Sequence, residues 1–141
     1  MRIFLDANVL VTVLNKEYPI FSHAARIVSL SGQNGYEVYT SPMCLAIAFY
    51  FAEKKSGTRK AKKKISLLAQ NLKVAPNLES GVQESISNPK VNDFEDGLEY
   101  YAAFDAGCNI IVTEDTTDFW FSEIEVLDCE GFLKKLITLP G

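Results

Sequence analysis

Arg2-Ile3-Phe4-Leu5 is a short apolar run that stops at Asp6, the pattern of a strand buried on both faces of a parallel sheet with a carboxylate at its C-terminal end. From Pro19, a suitable first-turn residue, Ile20, Phe21, Ala24, Ala25, Ile27 and Val28 recur at helical spacing until Gly32 and Gly35 break the chain. Glu37-Val38-Tyr39 predicts a second strand. Ser41-Pro42 then supplies the cap and first turn of a helix that is apolar almost all the way round, through Ala52. Beyond Ser56-Gly57 a basic segment runs into Ile65, Leu67 and Leu68, predicting a helix with one cationic and one packed face. Leu72-Lys73-Val74 reads as a short strand, and a more polar stretch from Leu78 closes at Asn88-Pro89. Phe94 to Ala106 predicts a helix ended by Gly107, and Ile110-Ile111-Val112 is the second clear buried strand. It leads into a polar loop, Thr113 to Phe119, before a last strand at Glu125-Val126-Leu127 and a last helix from Glu130 to Ile137. Short strands alternating with helices predict an α/β fold, a three-layer α/β/α sandwich about a short parallel sheet.

Length leaves room for one such core, so residues 1–141 are expected to form a single domain. Cys44, Cys108 and Cys129 are odd in number, widely spaced and set among apolar residues, which argues for buried thiols in a reducing compartment rather than disulfides or zinc ligands. Asp6 and Asn8 interrupt the N-terminus before a signal peptide could form, and the uncharged stretch from Val38 to Ala52 is shorter than the roughly 18 residues of a spanning helix. A soluble, cytoplasmic protein with no membrane partner is the expectation. The net charge of −4 alone speaks against nucleic acid, but its distribution does not. Half of the 14 Lys and Arg residues fall between Lys54 and Lys64, with no acid among them; removing them leaves 7 cations against 18 acids, a net of −11. One patch suited to a polyanion thus sits on a chain otherwise suited to cations.

Ligands in open α/β sheets bind beyond the carboxyl ends of the strands. Asp6 follows the first strand and Asp115 follows Ile110–Val112, so parallel strands would bring both to that edge, while Asn92-Asp93-Phe94-Glu95-Asp96 adds carboxylates at a helix start. Crowded carboxylates repel one another unless a cation neutralises them, and Mg²⁺ (or Mn²⁺) takes one or two of them together with waters and phosphate oxygens. Phosphoryl chemistry is the class this favours.

Phe4-Leu5-Asp6-Ala7-Asn8-Val9-Leu10 resembles the opening strand and first acidic residue of PIN domains. Asp93-Phe94-Glu95-Asp96, running on to Tyr100-Tyr101-Ala102-Ala103, is similar to that family's acidic helix start, with Asp96 at the metal-binding position. Ile111-Val112-Thr113-Glu114-Asp115-Thr116-Thr117-Asp118-Phe119 resembles its late motif, and Val126 to Leu133 its closing strand and helix. The likeness spans nearly the whole chain. It implies a metal-dependent, toxin-like nuclease, an endoribonuclease of the VapC kind, with RNA as substrate and DNA as second candidate. It further implies a homodimer and inhibition by a small antitoxin. Asp6, Asp96 and Asp115 would be the catalytic metal ligands, with Asp118 a lesser one. Asn8, Asp93 and Thr113 would support them, and Arg59, Lys60, Lys62, Lys63 and Lys64 would hold the nucleic acid. One position departs from the family pattern: the Glu expected in the helix after the second strand is Ile47. Glu53 lies six residues on, about 600° around the helix, and cannot take its place.

Each residue also has a plainer reading. Asp6 could simply cap the turn after its strand, and Asp93 is best placed as a helix cap, a role that for Asp96 is compatible with metal binding. Asp115 and Asp118 could shape a polar loop, and the lysine run could be a solvated helix face. His23, the sole histidine, lies within an amphipathic helix, which leaves no basis for histidine-dyad chemistry. A phosphatase using Asp6 as nucleophile would want a second Asp where Asn8 stands. The main alternative to a nuclease is a PIN fold that has lost activity and binds nucleic acid or protein without cutting, which is what Ile47 motivates.

Overall fold

The computed structural model describes residues 1–139. Five parallel strands, β1 (Arg2–Leu5), β2 (Glu37–Thr40), β3 (Lys73–Val74), β4 (Ile110–Val112) and β5 (Glu125–Leu127), form one sheet in the order β3-β2-β1-β4-β5. Among the described residues seven helices flank it: α1 (Ala7–Leu14), α2 (Phe21–Ser29), α3 (Pro42–Ser56), α4 (Thr58–Asn71), α5 (Glu79–Ser87), α6 (Phe94–Asp105) and α7 (Cys129–Thr138). This is the α/β sandwich expected of a PIN-like sequence. β1 takes the centre because Ile3, Phe4 and Leu5 are apolar on both faces, and all three are fully buried. Truncating a side chain such as Phe4 to alanine there would cost about 3–5 kcal/mol. Among the described residues no helix is long and apolar enough to cross a membrane, and the three cysteines are free and buried.

The strand order places a topological switch between β1 and β4. The chain winds outward from β1 to β2 and β3, then returns to the other side of β1 for β4 and β5. Loops leaving β1 and β4 therefore diverge, and a crevice opens between them. Leu5 pairs with Val112 in register, so the residues that follow each strand begin side by side.

Helix α1 is one element that hydrophobic periodicity did not reveal. Ala7–Leu14 is rich in β-branched Val9, Val11, Thr12 and Val13, which favour strands, but Asp6 caps it and core packing of Val9 and Leu10 overrides propensity. The helix expected from Pro19 begins instead at Phe21 and tightens into a 3₁₀ turn at Leu30–Gly32. Ser41 caps α3 by accepting from the Cys44 N–H at 3.2 Å, with Pro42 in the first turn. The basic window is split by the corner at Gly57, whose φ of 84° lies where side chains are strained.

Candidate active site

The crevice is built first by backbone pairing and then by caps. Asp6 Oδ1 accepts from the Ala7 N–H at 2.6 Å, making this carboxylate the N-cap of α1. The Asp6 N–H itself donates to Val112 O at 3.1 Å, which fixes Thr113 beside it. Oδ2 then accepts from the Thr113 hydroxyl at 2.7 Å and from the Asn8 amide at 3.3 Å. Asn8 Nδ2 also reaches Thr113 Oγ1 and Asp115 Oδ2, each at 3.1 Å, while Asn8 Oδ1 accepts from the Glu114 N–H at 3.2 Å. Thr113 Oγ1 accepts in turn from the Asp115 N–H at 3.1 Å. Asp6 and Asp115 are thereby held by one network with Asn8 and Thr113 at its centre.

The opposite wall comes from α6. Asp93 caps that helix, accepting from the Asp96 N–H at 3.2 Å. Asp96 is half-buried and points into the crevice, where burial, and then the charges of Asp93, Asp118 and Asp6, push its carboxyl up to about 7. Glu99, one turn on and therefore on the same helix face, is only 3 % exposed. Burial, with the hydrogen bond and charge of Asp6 adding to it, pushes its carboxyl up to about 11. No donor among the described residues reaches Glu99 Oε2. An oxygen of Glu99, an oxygen of Asp6 and the Sγ of Cys44 on α3 lie within 4.8 Å of one another. Burial holds the Cys44 thiol well above its usual range, so it stays protonated beside them.

Together these walls enclose a cleft of about 570 Å³. Nine acidic residues line it, half of the chain's 18, and among the described residues no Lys, Arg or His does. Asp6, Asn8, Asp93, Asp96, Asp115 and Asp118 all lie on its surface, and Thr113 is buried beneath. Ile47 lies there too, contributing an apolar wall with Phe51, whereas Glu53 accepts from Thr58 Oγ1 at 2.8 Å at the α3–α4 corner and does not line the cleft. Arg59, Lys60, Lys62 and Lys63 are exposed on α4 and Lys64 is half-buried; none of them lines the cleft, nor does His23.

Three acidic cleft residues, Glu17, Glu99 and Glu114, escaped the sequence reading. Glu99 carried a usable signal, a carboxylate three residues from Asp96 within the otherwise apolar run Leu98 to Ala103. Glu114 carried none: it lines the cleft while its Oε2 accepts from the Cys129 N–H at 2.9 Å, a contact made across the fold.

With that geometry in place, known proteins give a consistent answer. A family model described as PIN domain matches residues 2–117. The chain belongs to the PIN domain family. Its similarity to Ribonuclease VapC1 of Aquifex aeolicus is 25% identity over 98% of this chain and 97% of that protein. Two solved structures share the PIN fold. VapBC2 from Rickettsia felis, bound to a DNA fragment from its promoter, superimposes with a TM-score of 0.69 at 15% identity, over 91% of this chain and 98% of that one. VapC20 from Mycobacterium tuberculosis, described as a sarcin-ricin loop cleaving toxin, gives 0.61 at 16% identity, over 77% and 86%.

PIN nucleases generally use a divalent metal, and the residues of this PIN domain fit one. Oxygen donors from Asp6, Asp96, Asp115 and Asp118 suit Mg²⁺ or Mn²⁺, and the donorless, buried Glu99 Oε2 is an acceptor that the protein leaves unmatched.

Proposed function

We propose that this PIN domain is a divalent-metal-dependent endoribonuclease that hydrolyses phosphodiester bonds of RNA, with Asp6, Asp96 and Asp115 as metal-holding catalytic residues and Asp118 as an outer one. The observation that carries this reading is the meeting of three separately encoded carboxylates at the β1–β4 switch, in a cleft whose lining holds no compensating base. The name of the Aquifex relative, a ribonuclease, supports RNA as the substrate; DNA is the second candidate.

A bound Mg²⁺ or Mn²⁺ would supply a water acidic enough to attack at neutral pH and charge to steady the developing phosphorane. The chain's own residues do the rest. Thr113 and Asn8 donate to Asp6 Oδ2, which fixes the direction of its carboxylate. Asn8 ties Asp115 to Asp6, so the two carboxylates keep their separation. Asp93 caps α6 and sets where Asp96 emerges. Arg59, Lys60, Lys62, Lys63 and Lys64 offer the phosphate backbone a cationic surface outside the cleft.

By likeness to the VapC proteins we also assign a toxin-like role, a homodimer and a small antitoxin partner. Incubating the chain with single-stranded RNA tests the catalytic claim. Cleavage should need Mg²⁺ or Mn²⁺, stop with EDTA and disappear in Asp6→Asn. The alternative, a PIN fold that binds without cutting, draws on Ile47 in the cleft wall, and RNA binding with no cleavage under any divalent metal would favour it.

A further inference from the structure

We propose that Glu99 is itself a ligand of the divalent ion, supplying from α6 the carboxylate that α3 does not provide at Ile47. The proposal rests on the metal-dependent reading above and adds a residue to it. The Glu99 side chain is 3 % exposed, yet no donor among the described residues reaches Oε2. Buried polar atoms in folded proteins nearly all find a partner, so an unmatched buried carboxyl oxygen calls for a ligand or another explanation. Among the described residues no Lys, Arg or His lines the cleft, so any cation that compensates its carboxylates comes from solution.

The position is also right for one ion shared with Asp6. Their oxygens stand within 4.8 Å, and Asp96 emerges one turn earlier on the same face of α6. Across from them α3 presents Ile47, an apolar side chain, and Cys44, a sulfur group, so neither supplies a carboxylate oxygen. A hard divalent ion prefers carboxylate oxygen to such a thiol, so Glu99 and not Cys44 completes the inner end of the site. Asp6, Asp96 and Glu99 would then form the deep part of the centre, with Asp115 and Asp118 toward solvent.

Calorimetric titration of the full chain with MnCl₂ tests this without any nuclease assay. The wild type should bind Mn²⁺, Asp6→Asn should abolish binding, and Glu99→Gln, which keeps shape and removes charge, should weaken it by at least about tenfold. Glu99→Asp keeps the charge but withdraws it by one methylene, so a smaller loss is expected and the question survives if the Gln variant does not fold. Adding Ile47→Glu to Glu99→Gln should restore affinity, because the new carboxylate faces the same cleft. If Asp6→Asn abolishes binding while folded Glu99→Gln stays within about twofold of wild type, Glu99 only shares a proton with Asp6, and the proposal falls while the metal reading stands. A folded double variant as weak as Glu99→Gln alone would refute the exchange of roles between the two positions. A wild-type chain that binds no Mn²⁺ at millimolar concentration overturns both readings.

Discussion

The two walls of the cleft solve the problem of gathered negative charge in opposite ways. On the strand side, Asp6 and Asp115 are surrounded by donors: the Ala7 N–H, the Thr113 hydroxyl and the Asn8 amide. On the α6 side, Asp96 and Glu99 meet mainly burial and other carboxylates, and both are pushed upward. One wall is a finished hydrogen-bonded frame and the other is electrostatically incomplete. The difference teaches that the frame positions the site, while the α6 wall is where a cation gains most by entering.

The comparison breaks hardest at Asp6, the residue common to both walls. Asp6→Asn should lower RNA cleavage by about 10³-fold, the equivalent of ~4 kcal/mol, with metal added and melting temperature checked in parallel. Removing a frame donor has a smaller effect. Thr113→Val should reduce cleavage about 10–100-fold by loosening Asp6 without touching substrate, and should weaken Mn²⁺ binding in proportion, which separates it from a purely structural loss. On the other wall, Gly97 lets α6 approach its neighbours: a Cβ there would fall 2.7 Å from Ser85 Oγ and from Val91 Cγ1. Gly97→Ala should destabilise the fold by about 1–3 kcal/mol in chemical denaturation while displacing Asp96 and Glu99 together.

Proton linkage sharpens the contrast further. The folded-state value of Glu99 lies above its ordinary 4.5, at about 11, and that of Asp96 above 3.8, at about 7. Between those limits the folded chain holds more protons than the unfolded one, so stability falls as pH rises. In EDTA the melting temperature should therefore drop from pH 5 to pH 8. Glu99→Gln should flatten that slope and raise stability at pH 8 by ~1–2 kcal/mol. A slope unchanged in the variant would place the pH dependence elsewhere. The mildest effect is expected outside the cleft: Lys62→Ala with Lys63→Ala should weaken RNA binding a few-fold and reduce its salt slope by about 1.4, without altering metal affinity.

How far the site was legible from sequence follows the same division. Asp6, Thr113 and Asp115 could be found because each follows a buried strand, and parallel pairing of β1 with β4 converts that local fact into a shared edge. Asp93 and Asp96 announced themselves as a helix start. Glu99 was signalled only by its place in the apolar run Leu98 to Ala103, a weak signal because a mid-helix carboxylate is ordinarily solvated, and the packing of α6 shows that this one is buried. Helix α1 was hidden for the converse reason: its β-branched composition argues locally for a strand, and tertiary burial decides otherwise.

Diffraction from crystals soaked in Mn²⁺, with anomalous scattering used to locate the ion, tests the central claim most directly. A peak between Asp6 and the α6 carboxylates, in contact with Asp96 and Glu99, is the expected result. No peak in the cleft at millimolar Mn²⁺ would contradict it.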